Sequence, residues 1–296
     1  MPSLQQPTLD NTVGAAYLGV VGSAFLFGVT TLQAYWYYHR FTKDSRLHKY
    51  SVGILWLLDT FHLALTIHAV YVYVVTGFGN RDGLEHIVWS IKLQVSINVV
   101  VVLMVQTLYA FRVWILGGYH RGFLGYLVAA VVAGGFAIGI ILAYKVYTVD
   151  TFRQLEGVGW AINASLAAST TIDFVIAGTM CYYLRKSKGT ETRISRLMQY
   201  TLSSGLFTSA CSLSAMFSYI LIPNTLIFLA VEFLLTKLYI GSFFAMLNAR
   251  ERTREPRDSE RSSGRYQPSQ HHFKLQSTSF RSPSLPSASS SSVCNS

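Results

Sequence analysis

The sequence predicts an all-α membrane protein, a seven-transmembrane-helix bundle with the N-terminus outside and the C-terminus cytoplasmic. Three observations predict it. Of 296 residues, 51% are apolar and only 13% are charged, about half the charged share of a soluble domain. Apolar stretches long enough to cross a ~30 Å hydrocarbon core, each about 20 residues as a helix, recur along most of the chain. Lysine and arginine fall almost wholly on alternate connections between those stretches.

The spans read as 11–38, 50–76, 88–115, 123–146, 160–184, 198–221 and 224–247. Hydrocarbon offers backbone polar groups no partner, so spans of this length are helices or barrel strands. Barrel strands alternate apolar with polar over about 10 residues. The runs 97–105 and 127–132 do not alternate, so the spans are helices.

Residues 1–10 carry no Lys or Arg, and the first connection carries Arg40, Lys43, Arg46 and Lys49. The second holds only Arg81, the third Arg112 and Arg121, the fourth Arg153. Arg185, Lys186, Lys188, Arg193 and Arg196 crowd the fifth, the sixth near Pro223 has none, and eight follow from Arg250 onward. One side thus collects nineteen basic residues and the other two. Positive residues in short loops stay cytoplasmic, so an odd number of spans runs from an extracellular start to a cytoplasmic end. The first helix has no basic n-region before it and reads as an uncleaved signal anchor.

After the helical domain, 11–250, the tail 251–296 alternates acids with arginines and then becomes nearly all serine. Such a stretch buries too little apolar surface to offset its chain entropy and is expected to be disordered. The formal charge of +10 lies mostly on cytoplasmic segments. Anionic lipid headgroups are its expected partner, at about 1 kcal/mol per juxtamembrane basic residue, and no nucleic acid is expected. Serines beside arginines in the tail are kinase-type sites, or simply solubilising.

Cys181 and Cys211 fall inside helices and Cys294 in the tail, so no disulfide framework is expected. Cys181 beside the basic run after the fifth helix is a palmitoylation candidate, against the plainer reading of a small helix residue. Asn163-Ala-Ser matches the glycosylation pattern but falls inside the fifth helix.

Most ionisable groups near the spans can reach water: Lys92 and Lys145 at one set of helix ends, Arg112 at the other. Asp59, Asp173, Glu232 and Lys237 cannot, and a charge at mid-bilayer costs about 3 kcal/mol on insertion scales. These four, with His62 one turn from Asp59, form the candidate ligand or ion site, with His62 placed to bond Asp59. Lys237 can neutralise one carboxylate, leaving two that must be protonated, hydrated or bound to something positive. The structural alternative is a polar cluster that fixes helix packing, each interhelical bond contributing about 0.6 kcal/mol.

Lysine in a seventh helix also fits a retinal Schiff base. Microbial retinal proteins place an aspartate one turn earlier; here that position is Phe233, and the third span has no acid. No cofactor, metal or catalytic group is therefore expected, and no HExxH, GxSxG or phosphate-loop motif is present. Tyr35, Trp36, Tyr37 and Tyr38, with Tyr71 and Tyr73, read as interfacial anchors. Gly14, Gly19, Gly22 and Gly28, and Gly134, Gly135 and Gly139, allow close helix contact.

Several motifs stand in order on these helices: Leu26-Phe-Gly-Val-Thr-Thr-Leu-Gln33 with Lys43-Asp44, Trp56-Leu-Leu-Asp-Thr-Phe-His62, and Tyr71-Val-Tyr73. They continue with Phe111-Arg-Val-Trp114, then Asp173 with Cys181-Tyr-Tyr-Leu184. Last come Glu232-Phe-Leu-Leu-Thr-Lys-Leu-Tyr239 and Leu247-Asn-Ala-Arg250. Over about 11–250 the chain resembles a large family of seven-helix proteins of mushroom-forming fungi, catalogued only as a domain of unknown function. The resemblance implies that Asp59, His62, Lys237 and the Leu247–Arg250 exit are features of typical members. Gly241 departs from it, standing where many relatives are expected to carry asparagine.

The functional reading from sequence is an integral membrane protein, a receptor-like sensor of the plasma membrane with a cytoplasmic signalling partner. One rival is a proton or cation transporter or channel using the intramembrane acids. The other is a non-catalytic membrane assembly protein. An enzyme is not expected.

Overall fold

Seven helices account for nearly all described residues: α1 Ala15–Arg40, α2 Arg46–Tyr71, α3 Trp89–Leu116, α4 Phe123–Tyr147, α5 Leu155–Lys186, α6 Glu191–Leu221 and α7 Ile227–Ala249. The computed structural model describes residues 14–77, 86–116, 123–186, 191–222 and 225–249. Among them there is no strand, only an isolated bridge between His86 and Thr151. The segment 1–10, the tail 251–296, Arg81, Arg121, Pro223, Arg250 and Cys294 lie outside the described residues, as do the side chains of the basic stretch 185–196.

Among the described residues, six helices are long and apolar enough to cross a membrane. In α6 the described residues include an apolar stretch, Phe207–Leu221. The chain is thus an all-helical bundle of the kind that suits a multi-pass membrane protein.

Helix ends differ from expectation where local chemistry intervenes. Helix α2 begins at Arg46 rather than residue 50, because Ser45 caps it: its hydroxyl accepts the His48 backbone N–H at 3.5 Å. At its other end the helix widens into a π-turn, Val72–Thr76, closed by the Gly77 N–H on the Val72 carbonyl at 2.8 Å. Between α4 and α5 a short 3₁₀ turn, Phe152–Gln154, precedes α5. Next to it, the Ile87 N–H donates to the Asp150 carbonyl at 2.9 Å, and Lys92 pairs with the Asp150 carboxylate at 2.8 Å. These contacts tie the start of α3 to the α4–α5 connection.

Consecutive helices pack side by side, α7 returns to α1 and α2, and α3 touches α2, α4, α5 and α7. The surface inverts the pattern of a water-soluble protein. Leu18, Phe25, Leu32, Leu57, Phe61 and Phe207 are exposed, whereas Asp59, His62, Gln94, Gln106, Thr236 and Lys237 are buried. Isolated exposed apolar residues need no explanation, but a continuous apolar shell around a polar interior does. Lipid as the surrounding solvent supplies it.

The glycines divide. A Cβ on Gly19 would stand 2.8 Å from the Ala230 Cα, so α1 and α7 meet nearly backbone to backbone there. Gly139 similarly admits Val99 of α3. Gly28 and Gly134 face open space and draw no helix close. The tyrosines divide too: Tyr35, Trp36, Tyr38 and Tyr71 are exposed, but Tyr37 is buried, its hydroxyl donating to Asp44 at 2.9 Å. One residue in a helical run of four must face inward, which the grouping of four anchors overlooked. Tyr73 is half-buried and ties the chain before α3, donating to the His86 carbonyl at 2.7 Å and accepting the Val88 N–H at 3.0 Å.

Candidate functional site

The five candidate residues lie on α2, α5 and α7, and the structure distributes them over three sets of partners. Asp59 and Lys237 form the first. Both side chains are wholly buried, and Lys237 Nζ donates to Asp59 Oδ1 at 2.5 Å and to the Asp59 carbonyl at 2.8 Å. The Thr30 hydroxyl of α1 donates to Asp59 Oδ2 at 2.7 Å. Phe27 lies beneath the ammonium, its ring centroid 5.4 Å away, within cation–π range. Lys237 therefore selects Asp59, and three helices converge on one pair.

His62 belongs to the second set and not, as expected, to Asp59. A one-turn offset brings two residues to one helix face but leaves the neighbouring helices to choose the partners. Gln94 of α3 donates to His62 Nε2 at 2.9 Å, and the Thr236 hydroxyl of α7 lies 3.2 Å from the same nitrogen. Thr236 donates to Asn98 Oδ1 at 2.9 Å, and Asn98 Nδ2 donates to Glu232 Oε2. Hydrogen bonds thus join α2 to α3 through His62 and Gln94, and α3 to α7 through Asn98, Thr236 and Glu232.

Asp173 anchors the third set. Tyr239 and Thr208 donate to its Oδ2 at 2.6 and 2.9 Å, and Gln106 donates to Oδ1 at 3.3 Å. Neutral donors from α3, α6 and α7 surround this carboxylate. Among the described residues, no basic group pairs with Asp173 or Glu232.

The sequence reading missed Thr30, Gln94, Asn98, Gln106, Thr208, Thr236 and Tyr239. A signal for three of them was present. Gln94, Asn98 and Gln106 recur at intervals of four and eight on α3, which puts three amides on one face of an otherwise apolar helix. The hydroxyl residues carried no such signal, because Ser and Thr in helices commonly bond their own backbone.

A cavity of about 90 Å³ opens between α3, α4, α5 and α7. Its wall is mostly aliphatic and includes Ile91, Val95, Val102, Leu142 and Ile172, with Ser165 and Ser169 of α5. The polar exceptions on α3 and α7 are Asn98, Gln106 and Glu232. Ile87, Phe152 and Leu155 line the end tied by the His86–Thr151 bridge. Apolar walls with a few converging polar atoms are the usual make-up of a small-molecule site. No group of three or more His, Cys, Asp or Glu able to hold a metal occurs among the described residues. Cys181 and Cys211 form no disulfide.

Comparison with known proteins touches this region. Residues 169–252 match the model of a family described as "Family of unknown function (DUF6534)". The DUF6534 match takes in Asp173, Glu232 and Lys237 but stops short of α1–α4, so it covers less than the resemblance expected over 11–250. It carries no activity. No curated protein and no solved structure matches the chain.

Proposed function

We propose that this chain is a seven-span membrane receptor-like sensor, N-terminus outside, that holds a small ligand in the cavity between α3, α4, α5 and α7. In this reading α6 crosses the bilayer with the other six helices, the basic connections face the cytoplasm, and the plasma membrane is the location. The wider likeness to the fungal seven-helix family over 11–250 belongs to the same proposal. The protein acts without catalysis, and a cytoplasmic partner reads the state of the bundle.

One observation carries the proposal: the cavity wall is built into the polar chain that joins the helices. Glu232 lines the cavity, Asn98 and Thr236 bond it to α3, and one turn earlier on α3 Gln94 bonds His62 of α2. A ligand that competes with Asn98 for Glu232 alters the α2–α3–α7 contacts, and differential binding of that kind is what shifts a conformational equilibrium.

Topology and reconstitution test it. Labelling from outside should reach a cysteine placed at residue 3 and spare one at residue 290 until the membrane is opened; labelling both alike would refute the orientation. Liposomes carrying the chain should show no proton flux above empty liposomes. Flux that disappears in Asp173→Asn would install the transporter reading instead.

A further inference from the structure

We propose that the cavity takes an amphipathic amine, with the amine head at Glu232, an apolar body laid along α3, and a hydrogen-bond donor at its far end for Gln106. The inference rests on the cavity being a ligand site and adds the chemical class of the ligand.

The argument begins with hydrogen-bond direction. Gln106 is 1% exposed, and its Nε2 is committed to Asp173 Oδ1. A carboxylate cannot donate, so this contact fixes the amide orientation and leaves Oε1 as an acceptor. Gln106 Oε1 is buried with no hydrogen-bond partner and lies 3.9 Å from the Cβ position of Gly135, another cavity-lining residue. Asn98 is already engaged at both ends of its amide, by Thr236 and Glu232. Beside the second N–H of each amide, α3 and α7 offer the cavity a neutral acceptor and a carboxylate.

An acidic ligand would set its own carboxylate against that of Glu232. An alcohol would bring a single donor and no charge. An amine head brings several donors and, protonated, the positive charge that Glu232 lacks. The bundle's buried lysine cannot supply it, because Lys237 is already held by Asp59.

Shape sets the rest of the molecule. Asn98 and Gln106 are eight residues apart on α3, about 12 Å at 1.5 Å per residue. Val99, Val102 and Leu103 lie between them on the cavity wall. A flexible hydrocarbon body fills such a stretch, whereas a ligand polar throughout would bury unmet donors and acceptors there.

The test uses the full chain in phosphatidylcholine nanodiscs, with empty nanodiscs as the partition control. Equilibrium binding of n-octylamine, 1-octanol and octanoate is measured in parallel. Octylamine should saturate at one per chain and bind at least tenfold tighter than octanol, with octanoate unsaturable. Glu232→Gln should weaken octylamine at least tenfold and leave octanol unchanged. Ser169→Leu, which fills the cavity, should block both while the elution profile and melting temperature stay near those of the parent.

Equal binding of octylamine and octanol would overturn the amine and leave the cavity reading standing. So would an octylamine affinity indifferent to Glu232→Gln. Absence of saturable binding by all three probes, as in a cavity that holds water only, would overturn both. Should Glu232→Gln not fold, the octylamine-to-octanol ratio in the parent chain decides the matter alone.

Discussion

Asp59 and Glu232 are carboxylates inside one bundle, the first held by α7 and the second standing on it, yet they are satisfied by different means. Asp59 meets an ammonium at 2.5 Å and a hydroxyl at 2.7 Å, and neither it nor Lys237 has any exposed side-chain surface. Glu232 meets the Asn98 amide and lines a cavity. The first site is closed and locks α1, α2 and α7 together. The second has one amide partner and an open cavity beside it. Position along the helices does not separate the two acids here; the identity of the partner does.

The largest effect should come from breaking the closed site. Lys237→Met leaves the Asp59 carboxylate buried with only Thr30, and removing one partner of a buried pair costs about 3–5 kcal/mol. Unfolding of the purified chain in mixed micelles measures it. The double variant Asp59→Leu/Lys237→Met should recover more than half of that loss, because nothing charged is then stranded. A single-variant loss under about 1 kcal/mol would mean that the pair is no lock.

Asp173 offers an intermediate case. Tyr239→Phe removes one of its three donors, and a hydrogen bond to a charged group contributes about 1.5–3 kcal/mol. The same unfolding assay should place this variant between Lys237→Met and the parent. Glu232→Gln should cost less, under about 1 kcal/mol, because the new amide still accepts from Asn98. If it matched Lys237→Met, the contrast between the two sites would collapse.

The smallest effect lies at the helix ends. Lys92 beside Asp150 holds that exposed carboxyl below its ordinary value of 3.8. A lowered folded-state value means that the contact favours the fold at neutral pH and is lost as pH falls through that value. Carboxyl NMR of Asp150 should show its midpoint rising in Lys92→Met, with no resolvable change in melting temperature, since exposed pairs contribute little.

The all-helical architecture was legible in the residues because apolar length follows from the solvent around each helix alone. Helix ends were less so: Ser45 extends α2 by a capping bond that hydrophobicity does not register. The site was legible in its charges and obscure in its pairing. Lys237 faced three possible acids, and helical spacing on one segment is silent about which neighbouring helix brings the nearest. His62 shows the consequence, standing one turn from Asp59 yet bonded to Gln94 of α3. The amides of α3 were visible as a stripe, but the hydroxyls of Thr30, Thr208 and Thr236 were indistinguishable from ordinary helix residues.

By itself the sequence determined that this chain buries its backbone in helices and sends polar groups inward, because burial cost and helix length depend on composition along one segment. Which carboxylate meets the lysine, and which is left to neutral donors beside a cavity, was decided only when the helices packed. Pairing inside a bundle depends on distances of 2.5–3.3 Å between residues as much as 178 positions apart, and no local pattern encodes those.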